Sequence, residues 1–363
     1  MSSYRLEAIL TSIFMVVVSV VAVFGNLMVI VAILWNKRLR TVPYNFLFLN
    51  LAVADMLQGA IAMPLRLADQ LNQADKKPLI PCLVVIPLTV FFFGASNFNL
   101  TLISLDRYFA LKKPFLYPLL AVPSRLALIV AVSWVIIFII AFLPIMGWGA
   151  AAAADVSDIC LYSTTLSREY LFVLFSIVNL AVILILAFTN YFILKTARRQ
   201  VHRINIDKNL GTLLEVPFSV AAKSKPMTLS NIRTTADNKT INNRVFVISH
   251  SENADRKGTK IVLIVVGIFV FLTTPITVID IISLLGCVSC TPLIVVKVTV
   301  FMAYANACVN VFIYAGLNTE MRNTWVAMYR RAKAALGRSF HSYLVKWMCC
   351  RSSVSSTEVT EFA

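Results

Sequence analysis

A few ionisable, amide and aromatic side chains stand inside long apolar runs of this sequence. They are Asn26, Asp55, the tripeptide Asp106-Arg107-Tyr108, Trp134, Asn306, Asn310 and Tyr314. Polar groups in such surroundings are costly and are kept for function. An aspartate beside an arginine forms an ion pair, and a carboxylate among amides and hydroxyls holds a hydrogen-bond network or a small cation. No nucleophile, metal cluster or phosphate loop accompanies them, so the chemistry is that of binding and switching rather than of an enzyme.

The elements that must position these residues follow from composition. The chain has 363 residues, 59% hydrophobic and 14% charged, with a mean hydropathy of +0.81. An ordinary soluble domain carries about a quarter charged residues. One aqueous core cannot hide this much apolar surface, so lipid is the solvent. A membrane helix needs about 20 mostly apolar residues. Such runs fall at 9–35, 44–67, 79–111, 125–148, 170–196, 258–285 and 293–317. Each is expected to be a helix, because lipid offers no partner to an open strand edge. The fold class is therefore an all-α membrane protein, a seven-transmembrane helix bundle over 9–317 with a short N-terminus at 1–8.

The net charge of +16 raises nucleic acid as a partner and then argues against it. The basic residues do not decorate a soluble fold but flank the spans, as on a cytoplasmic face. Lys37, Arg38 and Arg40 lie between the first two spans, and Lys112, Lys113 and Arg125 between the third and fourth. Arg198, Arg199, Arg203, Lys208, Lys223, Lys225, Arg244, Arg256 and Lys257 lie between the fifth and sixth. The opposite loops are poor in base and hold Asp155 and Asp158. The N-terminus is thus expected outside and the C-terminus inside a plasma-membrane protein. The first run is too long for a signal-peptide core and ends in a basic stop. The segment 200–257 is polar without a clear period and reads as a flexible cytoplasmic loop. No internal repeat is found, which weakens a transporter reading. Cys82, Cys160, Cys287 and Cys290 lie at run ends on the outer face, Cys308 lies inside a run, and Cys349 and Cys350 lie in the basic tail.

Beyond the seventh run the period changes. Asn318 is placed to cap a helix, and Leu317, Met321, Trp325, Met328, Ala332 and Leu336 fall on one stripe, with Arg322, Arg330, Arg331 and Lys333 off it. An amphipathic helix over 318–338 on the inner leaflet follows, then a cytoplasmic tail at 339–363. In that tail Cys349 and Cys350 either carry palmitate or stay reduced, and Ser352 to Thr360 offer kinase sites.

Taken in order, one set to a span, these residues resemble the rhodopsin-like (class A) G-protein-coupled receptors from Gly25 to about Met328. Within that family the look is adenosine-receptor-like, with melatonin receptors behind. The stretches that carry it are Asp106-Arg107-Tyr108-Phe109-Ala110, Pro114, Tyr117, Trp134, Leu143-Pro144-Ile145-Met146-Gly147-Trp148, Cys160-Leu161-Tyr162, Ala197-Arg198-Arg199-Gln200 and Cys287-Val288-Ser289-Cys290. The resemblance implies a receptor for a small extracellular molecule, adenosine-like among the possibilities, that activates a heterotrimeric G protein and meets arrestin and receptor kinases. It implies a Cys82–Cys160 disulfide, twenty-five residues before Arg107, and a local Cys287–Cys290 bond. It implies coupling and activation residues Asp106, Arg107, Tyr108, Asp255, Tyr191, Asn310, Tyr314, Pro275 and Phe269. Arg107 would be held at rest by Asp106 and Asp255, and Tyr191 and Tyr314 would turn in beside it once the sixth helix moved outward. Asp55, Ser96, Asn306 and Asn310 would face one another midway and suit a sodium ion. The alternative is a dry network of Asp55 with Asn26 and Asn310.

The sequence also departs from that pattern. Adenosine receptors have an asparagine where Asp280 stands, a glutamate at Ser163 and a histidine at Tyr304. Amine receptors have an aspartate at Thr89, and opsins a lysine at Tyr304, so both ligand classes are disfavoured. Valine or isoleucine at 182–183 replaces the fifth-helix proline, Thr273 the sixth-helix tryptophan and Val311 the seventh-helix proline. These losses motivate a rival reading, a receptor-like scaffold without ligand-driven signalling. The ligand pocket is expected from Arg66, Thr89, Phe93, Tyr162, Asp280 and Tyr304, suited to a polar or zwitterionic molecule between aromatic rings. Alternatively Arg66 reaches the outer surface and Asp280 pairs with Lys297.

Overall fold

The computed structural model describes residues 2–71, 77–150, 155–156, 160, 162–214, 237–287 and 290–335. Seven of its helices are long and apolar enough to cross a membrane, with mean hydropathy from 1.6 to 2.9. They are α1 (Leu6–Trp35), α2 (Pro43–Leu71), α3 (Cys82–Lys112), α4 (Pro123–Phe142), α5 (Arg168–Thr196), α6 (Thr259–Leu284) and α7 (Ile294–Leu317). An eighth, α8, is described over 319–335. Large apolar side chains point outward all round the bundle, among them Phe271, Leu128, Phe172 and Phe188. Such a surface is stable only against lipid.

The helix α3 is the centre of the bundle, packed against α2, α4, α5 and α6, while α7 lies against α1, α2 and α6. One buried cluster joins Ile33, Phe48, Leu51, Leu100, Ile103, Val265, Phe269, Val311 and Tyr314, and a second gathers Ile86, Val90, Ile137, Tyr170, Leu174 and Val178. At Gly25 an added Cβ would stand 2.9 Å from Val311, so α1 and α7 touch where a side chain would hold them apart. Val311, which replaces a proline, uses its branched side chain to fill that contact.

Two helices carry a wide turn. In α2 the segment Gln58–Ala62 is π-helical just before Pro64. Proline has no N–H and its ring crowds the carbonyl four residues back, and the wider turn absorbs both. Ser19 of α1 donates to the Gly59 carbonyl at 2.6 Å in the same stretch. In α5 the segment Phe175–Ala181 is π-helical without any proline, and α6 runs through Pro275 unbroken. Around Pro275 the hydroxyls of Thr273, Thr274 and Thr277 bond back to the carbonyls of Phe269, Val270 and Thr273.

Two expected boundaries are corrected. The fourth span stops at Phe142 rather than 148, because Pro144 ends the ladder and Gly147 and Gly149 adopt φ of +96° and +97° in the turn beyond. The expected loop at 200–257 is helical at both ends, since one helix reaches Leu214 and the next starts at Asp237. A helix already nucleated by its span elongates into water through good helix formers such as Ala197, Arg198, Arg199 and Gln200. Residues 215–236 lie outside the described residues.

The helix α8 begins as expected, with the Asn318 side chain accepting from the Met321 N–H at 3.1 Å. Its inner face is Met321, Thr324 and Trp325. Asn36 donates to Thr324 at 2.8 Å, and the Trp325 indole donates to the Met28 carbonyl at 3.1 Å. Arg322, Arg330, Arg331 and Lys333 are exposed. Leu336, Cys349, Cys350 and the stretch from Ser352 to Thr360 lie outside the described residues.

Candidate functional site

The polar residues gather at three levels along the bundle. At one end Cys82 of α3 is disulfide-bonded to Cys160 in the connection between α4 and α5, with Cα atoms 5.2 Å apart. Cys287 and Cys290, between α6 and α7, form the second disulfide. One turn apart on α2, Arg66 and Asp69 make an ion pair at 3.4 Å and grip the Cys160 backbone from both sides. Arg66 donates to the Cys160 carbonyl, and Asp69 accepts the Cys160 N–H at 3.3 Å. Arg66 therefore neither reaches the surface nor enters the cavity. The second alternative of the sequence reading also fails, because Lys297 pairs with Glu7 at 2.8 Å rather than with Asp280.

Beneath this bracket lies a cavity between α3, α5, α6 and α7, with about 600 Å³ not filled by atoms, its mouth included. Five of the six expected residues line it: Thr89, Phe93, Tyr162, Asp280 and Tyr304. Sequence reasoning missed Leu174, Phe175, Val178 and Asn179 of α5 and Ile276 of α6. Asn179 is the one amide in the run Phe175–Ala181, a signal of the same kind as Asn26 that went unused. Tyr162 closes the cavity from the loop. Burial pushes its hydroxyl well above the usual phenol range; Tyr304 and Asp280 add to the rise, and Arg66 opposes it.

Midway, Asp55 is fully buried and accepts from Ser96 at 2.7 Å and from Asn310 at 2.8 Å. Asn26 does not join it but donates to the carbonyls of Ala22 and Ala307 at 2.8 and 2.9 Å. Asn306 is buried nearby in sequence on α7. The oxygens of Asp55 and Ser96 form the hard donor set that a small cation takes. Beside this level Asn50 donates to Asn99, and the Trp134 indole donates to Asn50 at 3.2 Å.

At the opposite end Arg107 donates to one carboxylate oxygen of Asp106 from Nε at 2.9 Å and from Nη2 at 2.5 Å. Nη2 also donates to the Tyr117 hydroxyl at 2.8 Å, and that hydroxyl donates to the other Asp106 oxygen at 2.9 Å. The guanidinium lies 4.4 Å from the centroid of the Tyr44 ring. The result is a closed ring of Asp106, Arg107 and Tyr117 under an aromatic face. Tyr117, in the short helix Tyr117–Leu120, was not among the expected switch residues. Burial raises its hydroxyl above the usual phenol range, against the pull of Arg107.

Four further switch residues stand away from this ring. Tyr314 is buried edge-on to Phe48, centroids 5.0 Å apart, and its hydroxyl has no partner among the described residues. Tyr191 faces outward and is 65% exposed. Phe269 is in the core, and Tyr108 packs on Phe188 and Phe192 of α5. The Asp255 side chain lies outside the described residues.

Residues 25–314 match the profile of a family described as 7 transmembrane receptor (rhodopsin family). The chain is 27% identical to human 5-hydroxytryptamine receptor 4 over 340 residues, covering 88% of this chain and 79% of that receptor. It is 28% identical to rat 5-hydroxytryptamine receptor 5B over 316 residues, 85% of this chain and 81% of that one. With the Histamine H2 receptor of Cavia porcellus it shares 33% identity over 197 residues, 53% of this chain and 55% of that receptor.

Proposed function

The chain belongs to the rhodopsin family of seven-transmembrane receptors, and from that premise we propose that it binds a small extracellular molecule and activates a heterotrimeric G protein. The disulfide end faces the extracellular side of the plasma membrane, and the Arg107 end faces the cytoplasm, with the basic loops. The observation that carries the reading is the sharing of α3 by both sites. Thr89 and Phe93 line the cavity, and Asp106 and Arg107 close the ring at the other end of the same helix. A ligand with different affinity for two tilts of α3 and α6 therefore biases the ring.

The sequence resembles adenosine receptors, but relatives of the chain are named for 5-hydroxytryptamine and histamine. The sequence lacks the family residues for adenine at Asp280, Ser163 and Tyr304, and the family residue for an amine at Thr89. What the lining supports is a flat molecule between Phe93, Tyr162 and Tyr304 with a polar group near Asp280. A sodium ion held by Asp55 and Ser96 with Asn306 and Asn310, contacts with arrestin and receptor kinases, and palmitate on Cys349 and Cys350 complete the proposal.

Nucleotide exchange on a purified G protein, with the receptor in lipid nanodiscs, tests it. Native protein is expected to accelerate exchange, and Arg107→Ala to remove the acceleration. Equal exchange by native protein and Arg107→Ala would sink the mechanism. No exchange under any ligand of a broad screen would leave the scaffold reading in its place.

A further inference from the structure

We infer that the ligand is a small aromatic cation whose ammonium or guanidinium group is held by Asp280, from α6 rather than from α3. The inference rests on the receptor reading and names the ligand class of the same cavity.

Charge accounting at the disulfide end carries it. Three described cations lie near the cavity. Arg66 is occupied by Asp69 and the Cys160 carbonyl. Lys297 is occupied by Glu7. Arg168 is exposed and borders a separate surface hollow outside α5 and α6. Among the described residues Asp280 has no ion pair and no hydrogen bond. Among the described residues the cavity therefore holds one carboxylate and no resident countercharge, and its other polar groups are neutral hydroxyls and the Asn179 amide.

A carboxylate withdrawn from water is stabilised by a partner that brings a positive charge and donors together. The remaining walls decide the shape of that partner. Val300, Ala303 and Ile276 are apolar, and Phe93, Tyr162 and Tyr304 add three aromatic rings. Rings of this kind stack on an aromatic body and also attract a cation. An anionic ligand is repelled by Asp280, and a zwitterion finds no free cation among the described residues for its acidic end.

The placement has a mechanical result. Asp280 lies five residues beyond Pro275 on α6, so a ligand cation pulls directly on the helix that must move to release Arg107. An anchor at Thr89 would hold α3 instead.

The test uses full-length receptor in nanodiscs and defined probes. Phenethylamine, tryptamine and histamine are compared with the uncharged 2-phenylethanol and indole-3-ethanol and with indole-3-acetate, by calorimetry. The expected result is that at least one amine binds ten times or more tighter than its alcohol. Asp280→Asn should abolish that preference, Asp280→Glu should keep it, and Asp280→Lys should move it to indole-3-acetate. The inference is overturned if alcohols bind as well as amines, if Asp280→Asn keeps the preference, or if no amine binds at millimolar concentration. Ligand-free nucleotide exchange on the same preparation separates the two failures. Arg107-dependent exchange without amine binding sinks only the cation anchor, whereas Asp280-dependent amine binding without exchange sinks only the receptor reading.

Discussion

The two ends of the bundle each hold a buried arginine–aspartate pair, and they use it differently. At the disulfide end Arg66 and Asp69 are one turn apart on α2, 3.4 Å from each other, and both bond to the backbone of Cys160. At the other end Arg107 and Asp106 are adjacent, 2.5 Å apart, and both also bond the Tyr117 hydroxyl, with the guanidinium over the Tyr44 ring. Backbone partners cannot leave without moving the chain, and here the chain is also tied by a disulfide. Side-chain partners leave by changing rotamer. The same pair of residue types is a fixed bracket in one place and a releasable catch in the other, and the difference lies in what the pair holds.

Exchange assays and melting curves on single variants break or sharpen that comparison. The largest effect is expected from Arg107→Ala, with coupling reduced to the uncatalysed rate of nucleotide exchange while the protein still reaches the membrane. Arg66→Ala comes next. It leaves Asp69 buried beside an ungripped loop and should cost about 3 kcal/mol of stability, seen as a lower melting temperature in nanodiscs. Ligand-free exchange per folded receptor should stay unchanged. A rise in that exchange would mean that the bracket is a second catch. Tyr117→Phe removes two hydrogen bonds of the ring and keeps its bulk. At about 1 kcal/mol lost in the resting state, basal exchange should rise roughly fivefold, and an unchanged rate would show that Tyr117 is a bystander. The smallest effect concerns the middle level. Replacing 150 mM potassium by 150 mM sodium, about tenfold above a site of roughly 15 mM affinity, should raise the native melting temperature by a few degrees. Asp55→Asn should lose that response. Equal melting in both salts would leave Asp55 as part of a dry network with Ser96 and Asn310.

The sequence carried the spans well because a membrane helix announces itself by a long apolar run. It carried their ends less well. The turn at Pro144 to Gly149 and the helical extensions to Leu214 and from Asp237 depend on backbone conformation and elongation, which hydropathy does not report. In the cavity Thr89, Phe93, Asp280 and Tyr304 were legible from helical spacing relative to Arg107, Pro275 and Asn310. Arg66 was legible as a residue of that end but not in its partner, since the position of the Cys160 peptide is set by a loop with no period to read. Tyr117 and Asn179 were in view as residue types, yet their roles depend on a short turn and a π-helical segment that place them across from other helices. The relatives share the family and not the adenosine resemblance. Pocket residues diverge fastest between members of one fold.

The disulfide between Cys82 and Cys160 also makes α3 a lever. Its upper end is pinned by the bond itself and by the Arg66–Asp69 grip, and Arg107 lies twenty-five residues further along the same helix. At 1.5 Å per residue the arm is roughly 37 Å long. A tilt of about 3° about that pivot displaces the far end by roughly 2 Å at this arm length. Tyr117 stands off the arm on its own short helix, so the displacement falls on its 2.8 and 2.9 Å bonds to Arg107 and Asp106. A movement too small to notice beside Thr89 thus reaches the catch enlarged, and the rigidity of the pinned end is the source of the gain.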